Sequence, residues 1–257
     1  MVVNKNNNIK KMYKDKYLEY QSKGYCIIKN CFDETILENS FKDIIESKKT
    51  SIYSDRLGKL RRIESIYDIS DNMKQIHEKC LEILFNLFSK DFIIFKDKYN
   101  AKPPGGEGFY AHYDGVFNWT DSDGKSRNGW YEYANTFVNV LLAIDPMTEN
   151  NGALEVSNEH KGSYFELLKN TKNNNTPDLK KTVEDNIKFE KILINAGDLV
   201  LFSNACPHRS SINNSNLDRR SIYYTFNPKD EGDNYKQYFL DKEKSKNTTS
   251  KSLSGEI

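Results

Sequence analysis

Apolar positions divide the chain into two regimes. Up to about residue 90 they recur at helical spacing. Ile36, Leu37, Phe41, Ile44 and Ile45 share one face of a helix that Asp33 caps and that runs to about Ser47. Ile76, Cys80, Ile83, Leu84 and Leu87 share one face of another helix over roughly 72–89. A polar-aromatic segment near 11–22 reads as a further helix, and Tyr25-Cys26-Ile27-Ile28 after Gly24 as a short strand. From residue 91 the period falls from 3.6 to 2 and Gly, Pro and Asn become the punctuation. That predicts strands over 91–101, 108–117, 135–144, 153–157, 190–194, 198–203 and 219–226. Helices followed by many strands predict an α+β protein whose core is a β-sandwich or barrel with helices packed outside.

The chain reads as a single domain over 1–257, with no internal repeat and no Pro/Gly/Ser linker. Residues 1–10 and 242–257, rich in Asn, Lys and Ser, are expected to be frayed ends. The segment 168–188 is too polar for a core and is expected to be a mobile surface loop or a lid over a site. The basic run Lys59-Leu60-Arg61-Arg62 could meet a phosphate or a CoA tail, and a solvated loop is the stronger expectation.

Composition narrows the partners. With 38 basic and 37 acidic residues the net charge is +1, so nothing draws the chain to nucleic acid. No apolar run approaches a bilayer span, and a membrane partner is not expected. The four cysteines, at 26, 31, 80 and 206, contain no CxxC pair, and the N-terminal stretch MVVNKNNNIKK lacks an apolar segment. Reduced thiols and a cytoplasmic protein acting on a small molecule are expected, with the oligomeric state open.

Four histidines, at 77, 112, 160 and 208, are the candidates for metal chemistry. His112 and Asp114 alternate on one strand, so they project from the same side about 6 to 7 Å apart. His208 follows the apolar strand Gly197-Asp198-Leu199-Val200-Leu201-Phe202. Two imidazoles and one carboxylate on a β scaffold make the facial triad of non-haem Fe(II) oxygenases, which leaves three coordination positions open. An HxD tripeptide alone is weak; Arg219, at the start of the last strand, adds weight. A guanidinium pointing into a barrel needs an anion, and its planar fork suits a dicarboxylate such as 2-oxoglutarate, whereas Arg220 faces the other way. His77 is expected at a surface or core edge, His160 in a structural turn, and Cys206 as a small core residue.

Several ordered stretches together resemble the phytanoyl-CoA dioxygenase family of Fe(II)/2-oxoglutarate oxygenases. They are Lys98 to Gly106 (KYNAKPPGG), His112-Tyr113-Asp114, Leu142-Ala143-Ile144-Asp145 and Glu149 to Val156 (ENNGALEV). Glu159-His160-Lys161-Gly162, Gly197 to Phe202, and Pro207-His208-Arg209-Ser210 ending at Arg219 continue the match, over about 25–228. The wording FKDKYNAKPPGGEGF is similar to the 2-aminoethylphosphonate dioxygenases within it, and less closely to ectoine hydroxylase. The resemblance implies a double-stranded β-helix, a jelly roll of the cupin kind, with the N-terminal helices outside one sheet. It implies that His112, Asp114 and His208 bind Fe(II), that Arg219 holds the distal carboxylate of 2-oxoglutarate, and that Ser210 adds a hydroxyl to it. Co-substrate contacts are implied among Lys96, Lys98 and Asn100, which share one face of strand 91–101, and Asn139 is a further candidate.

The implied reaction uses dioxygen and couples decarboxylation of 2-oxoglutarate to succinate with hydroxylation of a C–H bond. Relatives that halogenate replace the carboxylate of the triad with a small residue, so Asp114 argues for hydroxylation or desaturation. The expected substrate is a small polar metabolite, aminophosphonate or amino-acid-like. The alternatives are the same chemistry on a CoA- or carrier-linked acyl group or a natural-product intermediate, or a cupin-like 2-oxoglutarate-binding protein without turnover. Tyr113 stands where the aminophosphonate enzymes carry Gln, and an insertion follows Asp114. Tyr110, Tyr113, Phe117, Trp119 and Trp130 are candidate substrate contacts; such aromatics could cage a quaternary ammonium group, stack on a ring, or simply pack against the barrel mouth.

Overall fold

A computed structural model of the chain describes residues 2–47, 51–56, 58–121, 123–159 and 161–248. The helical regime gives α1 (Val2–Lys23), α2 (Glu34–Glu46) and α3 (Asp71–Phe88), with β1 (Tyr25–Ile28), β2 (Ser51–Ser54) and β3 (Leu60–Glu64) between them. Asp33 caps α2 by accepting a hydrogen bond from the Ile36 amide, as its side chain predicts. The strand regime gives β4 (Phe92–Lys102), β5 (Phe109–His112), β6 (Trp119–Thr120), β7 (Ser126–Arg127), β8 (Val138–Ala143) and β9 (Leu154–Val156). After the short helices α4 (Tyr164–Leu168) and α5 (Lys181–Glu184) come β10 (Glu190–Lys191), β11 (Leu199–Ser203), β12 (His208–Ser210), β13 (Arg219–Pro228) and a closing helix α6 (Tyr235–Thr248).

These strands form a seven-stranded sheet, in the order β1-β11-β8-β13-β4-β3-β2, facing a four-stranded sheet in the order β10-β9-β12-β5. The pairings between named strands are antiparallel. This is the jelly roll that the resemblance implies. One face of the large sheet carries Tyr99, Val140, Leu142, Leu201, Ile222 and Tyr224, which bury against Ile44, Ile76, Cys80 and Leu84 of α2 and α3. The helices therefore sit outside one sheet, as expected. The other face turns inward, and there Leu141, Val200 and Phe202 meet Leu154, Val156 and Cys206 of the small sheet.

Several expectations are corrected. Residues 2–10, expected to fray, continue α1, and residues 242–248 continue α6; residues 249–257 lie outside the described residues, as does His160. The run at 59–62 is no solvated loop: it enters β3, where Arg61 and Arg62 are buried, Arg61 donating to the carbonyls of Glu107 and Gly108. Long stems, carbonyl partners for Arg61 and the Glu64 carboxylate for Arg62 let two arginines pack where charge alone predicts exposure. The polar segment 168–188 folds onto the free edge of β5. The Leu179 amide donates to the Ala111 carbonyl and the Tyr113 amide to the Pro177 carbonyl, while Thr171 and Leu179 are buried. An edge strand needs its backbone groups satisfied, and this segment supplies them.

Candidate metal centre and co-substrate pocket

The inner face of the roll collects the polar residues that the apolar strands leave over. His208 opens β12 and lies directly across from His112 at the end of β5. The strand expected over 108–117 stops at His112, so Asp114 reaches the site from a turn rather than from alternation along a strand. That turn is held by the Asp114 amide donating to the Asn204 carbonyl, and by Asn204 Nδ2 donating to the Asp114 carbonyl at 3.1 Å.

One donor atom from each of His112, Asp114 and His208 lies within 4.8 Å of the others. His208 Nε2 is 3.6 Å from Asp114 Oδ2, and His112 Nε2 is 4.0 Å from Oδ1. Both imidazoles are oriented from behind: Nδ1 of His112 sits 2.7 Å from the Tyr110 carbonyl, and Nδ1 of His208 3.1 Å from the Cys206 carbonyl. A carbonyl can only accept, so Nδ1 carries the proton and Nε2 keeps its lone pair for a ligand bond. Burial, and then the neighbouring His112, push the His208 imidazole down to about 4, which keeps it neutral as metal binding requires. Burial alone would raise the Asp114 carboxyl, but His208, Lys98, His112 and Lys96 outweigh it and hold the group below the usual range. Two imidazoles with Nε2 toward the carboxylate of Asp114 fit a divalent iron, with open positions left.

Asn139, a candidate co-substrate contact in the sequence, is bonded to the carboxylate of the triad. Its Nδ2 donates to Asp114 Oδ2, and its Oδ1 accepts from Thr225 Oγ1 at 2.7 Å, so it orients the carboxylate.

Arg219 lies on the inner face with 2% of its surface exposed, while Arg220 points outward to Asp145 and the Phe41 ring. Arg219 donates to the Gly152 carbonyl at 3.1 Å and to Ser221 Oγ at 3.2 Å, and its Nε has no partner. Strand periodicity also puts Lys102 on this wall. It continues the face of Lys96, Lys98 and Asn100 and stands across from Arg219 in the β4–β13 ladder. Lys102 Nζ donates to Ser210 Oγ at 2.7 Å and to the Ser211 carbonyl at 2.6 Å. Burial, followed by the Arg219 and Arg61 guanidiniums, pushes this amine down to about 5. A buried guanidinium, a buried amine and a hydroxyl converge on one place, an arrangement that suits a carboxylate, which would draw a proton onto the amine.

The candidate substrate aromatics do not gather at the triad. A register shift between β5 and β12 turns Phe109 inward, its ring 4.1 Å from the Arg61 guanidinium and 5.8 Å from Lys102 Nζ. Tyr110 is instead 39% exposed, with Lys172 over its ring. Tyr113 is buried among Ala111, Leu167, Leu168 and Leu179, where Asn170 donates to its hydroxyl. Phe117 and Trp130 pack with Phe95 and Phe137, and Trp119 lies at the edge of that cluster. The Trp130 ring already faces a cation of the chain itself, Lys96 Nζ at 5.0 Å, so it offers no cage for a quaternary ammonium group. Aromatic bulk next to a site in sequence packs wherever apolar area can be buried, and here that is the cluster with Phe95 and Phe137, next to the Asp114-Gly115 turn. The core-edge and small-residue readings find their places: His77 stacks on Phe226, and Cys206 is fully buried.

The family model for phytanoyl-CoA dioxygenase (PhyH) matches residues 20–221. The chain belongs to the phytanoyl-CoA dioxygenase family. Among characterised family relatives it is similar to methylphosphonate hydroxylase of Gimesia maris, 30% identical over 160 residues, which cover 62% of this chain and 54% of that protein. It is also similar to 2-aminoethylphosphonate dioxygenase of an uncultured bacterium, 29% identical over 190 residues, covering 71% of this chain and 64% of the other. The chain thus spans between half and two thirds of the length of these relatives. In fold it matches EctD from S. alaskensis with a TM-score of 0.67 at 15% identity, covering 84% of this chain and 77% of that one. The carbocyclase SnoK from nogalamycin biosynthesis matches with a TM-score of 0.64 at 13% identity, covering 83% of each chain. No helix among the described residues of this family member is long and apolar enough to cross a membrane.

Proposed function

We propose that this chain is an Fe(II)- and 2-oxoglutarate-dependent oxygenase that hydroxylates a C–H bond of a small polar metabolite, with an aminophosphonate or amino-acid-like compound as the favoured class. The observation that carries the reading is the convergence of His112, Asp114 and His208 within 4.8 Å on an inner wall shared with the Arg219–Lys102 pair. His112 and His208 would offer Nε2, and Asp114 a carboxylate oxygen, to iron. Arg219, Lys102 and Ser210 would hold the distal carboxylate of 2-oxoglutarate. Bound there, iron and 2-oxoglutarate supply the oxidising equivalents that place an oxygen atom from dioxygen on the substrate. The chain's own part is positioning: Asn139 and Thr225 hold the carboxylate, and the carbonyls of Tyr110 and Cys206 hold the imidazoles. Leu141, Val200 and Phe202 form a dry floor that keeps water from the wall beside His208, whose ring lies 5.0 Å from that of Phe202. The small-metabolite class draws support from the names of the two phosphonate-oxidising relatives.

The test is succinate formation from 2-oxoglutarate with Fe(II) and ascorbate, together with a mass-spectrometric screen for a substrate that gains one oxygen atom. Wild-type protein is expected to form succinate and Asp114→Ala to form none. An iron-loaded wild type that binds 2-oxoglutarate but never decarboxylates it, with phosphonates and amino acids both tried, would make the chain a binding protein instead.

A further inference from the structure

The inner face of β4 carries more positive charge than the co-substrate pocket uses. Lys96, Lys98, Asn100 and Lys102 alternate along it, and Lys96 and Lys102 are six residues apart, about 20 Å at strand rise. A five-carbon diacid held by Arg219 and Lys102 is far too short to reach Lys96. The nearby carboxylates are already engaged. Glu64 accepts from Lys242 Nζ at 2.5 and 2.6 Å and lies 3.5 Å from Arg62 Nη1, and Asp114 belongs to the triad. Among the described residues no carboxylate lies within ion-pair distance of either Lys96 or Lys98. Their ammonium groups instead face aromatic rings: Lys98 lies 4.9 Å from the Tyr223 ring, and Lys96 lies 5.0 Å from Trp130 and 5.6 Å from Tyr238. Burial alone would lower the Lys96 amine, but Tyr238, Glu64 and Asp114 outweigh it and hold the group above its usual range. Lys98 beside it has only a ring face, which stabilises a charge in part, so the pair still calls for an anion.

We infer that Lys96 and Lys98 form the seat for a doubly charged oxyanion head group of the substrate, a phosphonate, separate from the co-substrate pocket at Arg219 and Lys102. Two ammonium groups on alternate positions of one strand match two negative charges on one tetrahedral group. The place is right for the chemistry as well. Lys96 stands across from Thr225, whose hydroxyl bonds Asn139 behind Asp114, so a head group seated on the two lysines keeps its attached carbon on the side of the triad. Burial, and then Lys96, push the Lys98 amine down to about 7, as expected of a cation that waits for its counter-charge. This inference rests on the oxygenase reading above and assigns the part of that site which binds the substrate.

Isothermal titration calorimetry on the iron-loaded protein, without dioxygen and with 2-oxoglutarate present, tests it with methylphosphonate and methanesulfonate as probes. Methylphosphonate is expected to bind wild type, and singly charged methanesulfonate at least about tenfold more weakly. Lys98→Met and Lys96→Met should each weaken methylphosphonate at least about tenfold, Lys98→Arg should restore most of that loss, and 2-oxoglutarate affinity should stay within about twofold. Lys98→Gln serves in place of Lys98→Met if the latter does not give a cooperative melt. The inference is overturned if the variants bind methylphosphonate as tightly as wild type, if methanesulfonate binds equally well, or if Lys98→Met loses 2-oxoglutarate instead. It is also overturned if wild type binds 2-oxoglutarate but no methylphosphonate. A wild type that binds neither iron nor 2-oxoglutarate sinks the oxygenase reading itself, a result distinct from these.

Discussion

Asn139 Nδ2 donates a 2.9 Å hydrogen bond to Asp114 Oδ2, and Thr225 Oγ1 donates to Asn139 Oδ1 at 2.7 Å behind it. The pair joins the turn that carries the carboxylate to the neighbouring strands β8 and β13 of the large sheet. Asp114 reaches the site from beyond the end of its strand, so this bond does the orienting that strand geometry does for His112. Asn139→Ala should therefore weaken iron binding roughly 10- to 100-fold, and Thr225→Val should act in the same direction by less. Metal titration of the metal-free protein measures both; an unchanged affinity in Asn139→Ala would show that the turn alone places the carboxylate.

Lys102 should change protonation when a dicarboxylate arrives. Without an anion its amine is pushed down to about 5, so at neutral pH it is largely uncharged, and a carboxylate between it and Arg219 restores the charge. Binding of 2-oxoglutarate at pH 7 is expected to take up close to one proton, and Lys102→Met should abolish the uptake. Calorimetry in buffers of differing ionisation enthalpy reads the proton count directly.

The metal-free protein should lose stability in mild acid. His208 titrates at about 4 when folded, against about 6.5 in an unfolded chain. Between those values the unfolded state binds more protons, so stability rises with pH, is fully present above about 6.5, and is lost as pH falls toward 4. The melting temperature of metal-free wild type is expected to fall across that window, and His208→Gln should flatten the fall.

Gly152 sits at φ 70° with its carbonyl accepting from Arg219, and an added Cβ would lie 2.5 Å from the Ser211 carbonyl oxygen and 2.9 Å from Lys102 Nζ. Both the backbone conformation and the space exclude a side chain. Gly152→Ala should displace Lys102 and weaken 2-oxoglutarate binding while leaving iron affinity unchanged, as parallel titrations of the two ligands would show.

Trp130 is 4% exposed, with its ring 5.4 Å from those of both Phe95 and Phe137. Its part is packing in that aromatic cluster, so Trp130→Ala should cost about 3–5 kcal/mol in denaturant unfolding.

Much of this was legible in one dimension. The change of period near residue 91 located the strands because a sheet with one face on helices must alternate, and β4, β8, β11 and β13 lie where alternation predicts them. Parity along the last strand likewise put Arg219 inside and Arg220 outside. β2 and β3 went unseen because Arg61 and Arg62 read as surface, and their burial depends on carbonyls from the distant 107–108 turn and on Glu64.

The order of residues by itself determined the secondary-structure regimes, a β-sandwich or barrel, and the four groups His112, Asp114, His208 and Arg219, because local periodicity and residue chemistry require no knowledge of distant contacts; the jelly roll came through the family resemblance. Only the tertiary structure decided which neighbours serve them: Lys102 beside Arg219, Asn139 behind Asp114, and Lys96 rather than a ligand under Trp130. Those pairings join positions far apart in the chain and follow from strand register and from the shift between β5 and β12, which hydrogen bonds between strands set and no single strand encodes.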